Sequence, residues 1–295
     1  MTQEREGDFE LVTLRGGAHA VRHLGHGEVM HPGGGPWEEA RRLYAEQLDV
    51  RARAALPGAE PLRVLDVGLG AATNAVAVLA AAAGGPRPLE LHSLEKDLSP
   101  LRLALRAGDA FPFLEPWRPA LRALLDAGEW SSGSTRWRLL AGDARETLTR
   151  VPPDQELVLF DPFSPRANPS LWTPSFFSCV RERCRTAGPG ALLATYSAAT
   201  PTRVSLLLAG FFAGAGAATG GKRETTVAAT RKEALASPLG ERWLQRWRRS
   251  PARAPHGEPE TPDLEARLLS HPQFAPDSGA GAATCPSPAP WPRCP

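Results

Sequence analysis

The segment from Arg63 to Asn74 constrains the fold of this chain more than any other. It reads R-V-L-D-V-G-L-G-A-A-T-N, an apolar run typical of a buried strand followed by a glycine turn and an alanine-rich helix. Gly68 and Gly70 permit a turn in which a ligand can approach the bare backbone. A strand, glycine turn and helix form the usual nucleotide-binding corner of an α/β domain. We therefore predict an α/β fold in which Asp66, Gly68, Gly70 and Asn74 bind a cofactor.

The spacing of the glycines narrows the choice of nucleotide without deciding it. A dinucleotide site calls for G-x-G-x-x-G, but Thr73 occupies the third glycine position. The form D-x-G-x-G is associated with S-adenosylmethionine (SAM), which has no pyrophosphate to place on the helix N-terminus. From these residues alone, a SAM site, a NAD site and a purely structural turn all remain open.

Composition sets the class of protein. The chain has 295 residues, of which 42% are hydrophobic and 22% charged, and its net charge is +2, as expected for one large α/β domain with appendages. The polar start lacks a secretory signal, and no apolar run approaches the roughly 20 residues of a membrane helix. We expect a cytoplasmic protein without membrane contact. The four cysteines lack zinc-site spacing, so no metal is predicted.

Acidic residues also end the next two predicted strands. Residues 89–94 indicate a second strand that ends at Glu95, where a carboxylate can bind a ribose diol. Residues 137–140 indicate a third strand, followed by Asp143 and Ala144, where a carboxylate can meet an adenine amino group. A solvated strand-end glutamate is the alternative for Glu95. The ordered series of three acids is more specific than any one of them.

The fourth predicted strand leads into the most distinctive loop. Residues 157–160 are entirely apolar, which is typical of a strand buried on both faces. Because ligands in open α/β sheets bind beyond the carboxyl ends of the strands, Asp161, Pro162 and Phe163 are predicted to be catalytic. Phe163 and Trp172 offer flat surfaces for a base. The alternative is a rigid helix-entry loop with Trp172 in the core.

The loop D-P-F-S-P-R-A-N-P-S-L-W, with D-V-G-L-G-A-A-T-N, S-L-E-K and G-D-A upstream, resembles the methyltransferase domain of the MnmC family, the bacterial tRNA 5-methylaminomethyl-2-thiouridine biosynthesis proteins. G-E-V-M-H with E-E-A, and the later L-A-T-Y-S-A and K-R-E, are similar as well, so the resemblance spans about residues 10–230. It implies a class I (Rossmann-like) methyltransferase sheet, mostly parallel with an antiparallel last strand. It also implies SAM as methyl donor, with neither metal nor flavin.

The resemblance further implies a substrate, the 5-aminomethyl group of a wobble uridine in tRNA, with Asp161 orienting the amine. The residues expected to bind that substrate are Asn168, Trp172, Arg203, Lys222 and Arg223. The family's best-known member is fused to a flavin oxidoreductase domain, which this chain has no room for. We therefore expect a standalone methyltransferase without an obligate protein partner, supplied with its aminomethyl substrate by another enzyme.

Four segments are predicted: a β-hairpin and cap helix at 1–50, the methyltransferase domain at 51–232, a basic Trp/Arg helix at 233–250, and a tail at 251–295. Nine basic and three acidic residues lie between positions 222 and 253. Trp243 and Trp247 among the arginines there indicate either an RNA-stacking patch or a solvated helix anchored by its tryptophans. Since 11 of the 30 prolines follow position 250, the tail is predicted to be mostly disordered, with a short helix near residues 264–269 as the exception.

Other functions remain open at this point. They are a class I methyltransferase that acts on a small molecule or another RNA position, a NAD-dependent oxidoreductase, and a non-catalytic RNA-binding protein on a methyltransferase fold. Thr73 and the N-P-S-L-W segment count against the oxidoreductase. Binding of SAM would separate the catalytic readings from the non-catalytic one.

Overall fold

The computed structural model describes residues 4–31, 34–219 and 222–274, and its strands form two sheets. The small antiparallel sheet contains β1 (Arg5–Glu6), β2 (Phe9–Thr13) and β3 (His19–His23). The large sheet contains β4 (Leu62–Val67), β5 (Leu89–Glu95), β6 (Glu129–Ser132), β7 (Thr135–Ala141), β8 (Leu157–Phe160), β9 (Leu192–Thr195), β10 (Phe212–Gly216) and β11 (Thr225–Ala229).

The helices lie between and after these strands. They are α1 (Pro36–Ala40), which continues as π-helical turns over Arg41–Glu46, α2 (Val50–Ala55), α3 (Thr73–Ala82), α4 (Ser99–Arg106), α5 (Arg118–Ala127), α6 (Ala144–Thr147), α7 (Pro174–Arg183), α8 (Thr200–Leu208), α9 (Glu241–Arg248) and α10 (Leu264–Leu269). Proline stands in the first turn of α1, α4, α5, α7 and α8, where its fixed φ suits the helix and its missing N–H costs nothing.

The order of the large sheet is β10-β11-β9-β8-β4-β5-β7-β6. β4 pairs in parallel with β5 on one side and with β8 on the other, so the strand order reverses between β4 and β8. β11 is antiparallel to β9. The predicted class I sheet, mostly parallel with an antiparallel last strand, is confirmed. The antiparallel edge strand β6 was not predicted, because its four mostly exposed residues, E-W-S-S, show no apolar pattern.

The N-terminal extension is also confirmed, as a three-stranded sheet rather than a simple hairpin. Glu10 of β2 is buried and pairs with Arg22 of β3. After α1, the side chains of Leu43, Tyr44 and Leu48 are buried in the main core. This anchoring holds the extension against the large sheet, at the side where its strands end.

The C-terminal region distinguishes between the two alternatives for the basic helix. Trp243 and Trp247 of α9 are buried against α8 and α10, which agrees with a helix anchored by its tryptophans and not with an RNA-stacking patch. The side-chain amide of Gln273 is buried and bonds to both the N–H and the carbonyl of Ala213 on β10. The short helix expected in the tail is present as α10, whereas the rest of residues 251–274 is ordered, contrary to the expectation; residues 275–295 lie outside the described part of the chain.

Within the described ranges, none of the helices has the length and apolar character that crossing a membrane requires.

Candidate active site

A cavity of about 430 Å³ lies at the carboxyl ends of β4, β5 and β8. This is the point where the strand order reverses, which is where open α/β sheets bind ligands. Its volume falls within the range of small-molecule sites, about 300–1,000 Å³. Two groups of residues line it: the glycine turn and the acids after β5 and β7 on one side, and the loop after β8 with the N-terminal extension on the other.

The glycine turn forms the floor of the first side, and steric requirements explain both glycines. Gly68 has φ +92° and Gly70 has φ +53°, backbone conformations that residues other than glycine rarely adopt. A Cβ at Gly68 would lie 2.9 Å from the carbonyl oxygen of Asp161, and one at Gly70 would lie 3.2 Å from the Met30 sulfur. The turn therefore exposes bare backbone to the cavity and lies directly against the loop that follows β8.

Glu95 projects into the same side and is held by three backbone donors. Its Oε2 accepts a hydrogen bond from the N–H of Gly70 at 2.8 Å, and its Oε1 accepts from the N–H groups of Lys96 and Asp97 at 2.8 and 2.9 Å. Burial raises the pKa of Glu95, and these three donors oppose that rise. The carboxylate is thus fixed beside the glycine backbone, as binding of a ribose diol requires.

Asp143 closes the far end of this side, next to Ala144. It caps α6, and both of its oxygens accept hydrogen bonds from Arg145, at 2.6 Å for the Nη2–Oδ2 pair. These hydrogen bonds lower the pKa of Asp143 to about 2, so it is ionised at neutral pH. An adenine amino group would have to share this carboxylate with Arg145.

Asp66 does not reach the cavity. It is buried behind the glycine turn, where its Oδ2 accepts a hydrogen bond from the Ser93 hydroxyl at 2.7 Å, and burial raises its pKa to about 7. Asp66 is not among the residues that line the cavity, so the structure gives no support to direct binding of a cofactor by Asp66. Its side chain links β4 to β5 through the hydrogen bond with Ser93.

Asp161 occupies the centre of the second side. Its Oδ2 accepts a hydrogen bond from the Asn74 amide at 2.6 Å and lies 3.7 Å from Nε2 of His31. Burial raises the pKa of Asp161, while His31 and Asn74 oppose that rise. The buried Tyr44 side chain is a further neighbour. Asn74, predicted to bind the cofactor, lines the cavity and positions this carboxylate.

The N-terminal extension supplies the opposite wall through the segment Glu28–His31. Nδ1 of His31 lies 3.4 Å from Oε1 of Glu39, so that the ring stands between two carboxylates. Glu28 accepts hydrogen bonds from the N–H of Ser164, at 2.9 Å, and from its hydroxyl. No site role was predicted for Glu28, His31 or Glu39, because no local motif marks them; the resemblance of G-E-V-M-H was the one available signal.

Further residues of the loop after β8 also line the cavity. Pro162, Phe163 and Asn168 lie there, as predicted for this loop. The Tyr196 hydroxyl donates to the carbonyl of Pro162 at 3.3 Å, and the Lys222 ammonium lies 4.5 Å from the centre of the Tyr196 ring. The Lys222 ammonium is therefore held at the edge of the second side of the cavity.

Three predicted substrate contacts lie elsewhere. Trp172 is fully buried, packs 5.1 Å from the ring of Phe160, and donates its indole N–H to the carbonyl of Phe163. Arg203 is buried and bonds to Thr226 and Glu224, so it stabilises β11. The structure therefore gives no support to a substrate contact by Trp172 or Arg203, and the position of Trp172 agrees with the alternative that it belongs to the core. Arg223 is exposed and does not line the cavity.

In the described ranges, no group of three or more His, Cys, Asp or Glu side chains could hold a metal ion.

A family model described as S-adenosyl-L-methionine-dependent methyltransferase matches residues 99–231. The chain is 31% identical over 204 residues to the tRNA 5-methylaminomethyl-2-thiouridine biosynthesis bifunctional protein MnmC of Aromatoleum aromaticum, covering 63% of this chain and 30% of that protein. The MnmC protein of Methylibium petroleiphilum is 30% identical over 230 residues, covering 74% of this chain and 34% of its own length. The chain thus spans about a third of these relatives.

Among solved structures, the crystal structure of MnmC2 from Aquifex aeolicus superposes with a TM-score of 0.69 and 27% identity, covering 90% of this chain and 85% of that one. The likeness therefore extends over nine tenths of this chain.

Proposed function

Because this chain carries an MnmC-like, SAM-dependent methyltransferase domain, we propose that it methylates the 5-aminomethyl group of a wobble uridine in tRNA to 5-methylaminomethyl. The named function of the MnmC relatives supports the choice of substrate. The observation that carries the proposal is the position of Asp161, a largely buried carboxylate that adjoins the glycine turn and faces the cavity.

The first side of the cavity fits the donor. The bare backbone at Gly68 and Gly70, the fixed carboxylate of Glu95 and the G-D-A turn at Asp143 suit the amino acid, ribose and adenine portions of SAM, respectively. When bound, SAM supplies a methyl group whose bond to the sulfonium sulfur breaks with both electrons going to sulfur. The chain itself has to orient the acceptor and handle its protons.

Asp161 is the residue proposed to orient the acceptor. An amine attacks through its lone pair, so it must be uncharged and aligned at about 3 Å from the carbon that it attacks. A carboxylate that accepts a hydrogen bond from the amine N–H fixes that direction and can take the proton that the nitrogen releases afterwards. Asn74 and His31 hold the Asp161 carboxylate from the side of Oδ2.

The proposed tRNA site lies at the acceptor edge of the cavity. Lys222 stands beside Tyr196 at this edge, and the exposed Arg223 is next to it in the chain. Their cationic groups can contact phosphates around the target nucleotide, while Asn168 lies deeper, on the cavity wall. Since methyl transfer creates no amine, another activity must install the aminomethyl group first.

The proposal is tested by mass spectrometry of tRNA nucleosides from a strain that lacks this chain. We expect 5-aminomethyl-uridine to accumulate and to disappear when the wild-type chain is restored, but not when Asp161→Asn is restored. An unchanged nucleoside profile in the deletion strain would contradict the proposed substrate.

A further inference from the structure

We propose that His31 is a positioning residue that acts through Asp161: as a cation between Glu39 and Asp161, it keeps the Asp161 carboxylate ionised and fixed at the acceptor side. The kinetic part of this inference rests on the proposed function. The electrostatic part concerns the protein alone.

The geometry places one imidazole between two carboxylates. Nδ1 of His31 lies 3.4 Å from Oε1 of Glu39, and Nε2 lies 3.7 Å from Oδ2 of Asp161. The side chains of His31, Glu39 and Asp161 are only 9%, 9% and 13% exposed, so water screens these charges weakly. Only the protonated ring carries the positive charge that attracts both carboxylates, through a hydrogen bond to Glu39 and a longer ion-pair contact with Asp161.

The backbone conformation at His31 also indicates that this residue is held in place. Its φ is +53°, in the left-handed region that few residues other than glycine adopt, although histidine, asparagine and aspartate adopt it more often than the rest. A strained conformation persists where the surrounding structure holds it, and such residues cluster at functional sites. Here the strained residue directs its ring into the cavity wall, between the two acids.

The charges around the ring favour the cation. Burial disfavours a charged imidazole, but the hydrogen bond with Glu39 and the charges of Asp161 and Glu39 outweigh it and raise the pKa of His31. Two tyrosines, Tyr44 and Tyr196, also lie near the ring. Burial raises the pKa of each, so that both stay neutral. On the same wall, Glu28 is engaged by Ser164, and Lys222 is bonded to the carbonyl of Tyr196.

The effect on Asp161 has a definite sign. Its pKa is raised by burial and held down by His31, so loss of the imidazolium charge must raise it further. More of Asp161 would then be protonated at a given acidic pH, and a protonated carboxyl cannot accept the amine N–H in the same way. When His31 is replaced by a neutral residue, the loss of rate at acidic pH that comes from protonation of Asp161 should therefore begin at a higher pH.

The electrostatic part can be tested without activity. The His31 ring is followed by NMR through a pH titration and assigned by its absence in His31→Asn, since asparagine tolerates a positive φ. We expect a pKa above the ordinary value of about 6.5, and a lower one in Glu39→Gln. A His31 pKa at or below the ordinary value, or one that Glu39→Gln leaves unchanged, would overturn the proposal.

The kinetic part is tested by kcat/KM against pH with tRNA that carries aminomethyl-uridine. Below the pKa of the substrate amine, a plot of the logarithm of kcat/KM against pH has a slope of one. The slope becomes two at the lower pH where Asp161 is protonated as well. In His31→Asn we expect this break to lie about one pH unit higher than in the wild type, the size of effect that one nearby opposite charge has on a carboxyl. His19→Asn, on the partly exposed strand β3, is the matched control and should leave the break in place.

A His31→Asn variant that loses rate equally at every pH would show a structural role only and would overturn the inference. Inactivity of the wild type on this tRNA, together with a raised pKa of the His31 ring, would instead refute the proposed substrate and leave the electrostatic role intact.

Discussion

The two sides of the cavity are built in different ways. The donor side comes from strand ends and turns of the large sheet, where Gly68, Gly70 and Glu95 are held by backbone hydrogen bonds and close backbone contacts. The acceptor side joins the loop that begins at Asp161 to an N-terminal extension far from it in the chain, through side-chain pairs such as that of Asp161 with His31. The side proposed for the cofactor is thus built from strand ends and turns of one sheet, whereas the side proposed for the acceptor depends on contacts between distant parts of the chain.

The largest expected effect separates the two sides at Asp161. Asp161→Asn keeps the shape of the side chain but removes the charge that accepts the proton, so kcat should fall by about 100-fold or more. SAM affinity, measured by calorimetry, should change by less than about threefold, a difference below 1 kcal/mol, because the glycine turn touches only the backbone of this residue. The exposed Asp126→Asn serves as control. Equal losses of SAM binding and rate would show that the two sides do not act separately.

The opposite pattern is expected at Glu95. Glu95→Gln retains one acceptor oxygen for the backbone donors but loses the charge, which should weaken SAM binding by about tenfold, or about 1.4 kcal/mol. At saturating SAM the rate should stay close to that of the wild type, and Glu182→Gln on an exposed position should change neither quantity. If kcat at saturation falls as far as it does in Asp161→Asn, Glu95 also contributes to the acceptor side.

A smaller effect should follow from loosening the acceptor wall. Glu28→Gln weakens the two hydrogen bonds from Ser164, so the loop after β8 becomes less well fixed. The KM for tRNA should rise by about fivefold, equivalent to about 1 kcal/mol, while the Kd for SAM remains unchanged. A change confined to SAM binding would place Glu28 on the donor side instead.

The smallest functional effect is expected at Trp172, where stability should change more than rate. Trp172→Phe removes the hydrogen bond to the Phe163 carbonyl and some buried area, so the free energy of unfolding should fall by about 1–2 kcal/mol in urea denaturation. The KM for tRNA should stay within about twofold of the wild type, a difference below 1 kcal/mol. A large rise in that KM without loss of stability would restore Trp172 as a substrate contact.

Much of the donor side could be predicted from the sequence because its signals are local. Buried parallel strands read as apolar runs, and each run ended at a glycine turn or an acid, so β4, β5, β7 and β8 were recognised with their order of acids. The difference between Glu95 and Asp66 was not visible, because both acids follow apolar runs and only the packing shows that Asp66 faces Ser93 behind the turn.

The acceptor side was predicted only in part, for physical reasons. Asp161 was found from its place after a strand, but its pairing with His31 depends on how the N-terminal extension folds back, which no local pattern records. For Trp172 a flat surface for a base and a core position both stayed open, because nothing in a loop sequence shows whether a tryptophan is buried. For Trp243 and Trp247 a stacking patch and an anchored helix both stayed open, although a spacing of four places the two on one face of a helix and favours the anchored helix that the structure contains.

The most direct test of the division between the two sides, and of the proposed substrate, is methylation in vitro. The purified chain is incubated with isotope-labelled SAM and tRNA that carries 5-aminomethyl-uridine, and the digested nucleosides are separated by mass spectrometry. We predict that the label enters this nucleoside alone, as one methyl group on the amine, and that Asp161→Asn binds SAM without transferring the label. Label in a different nucleoside, or none at all with SAM bound to the wild type, would contradict the account.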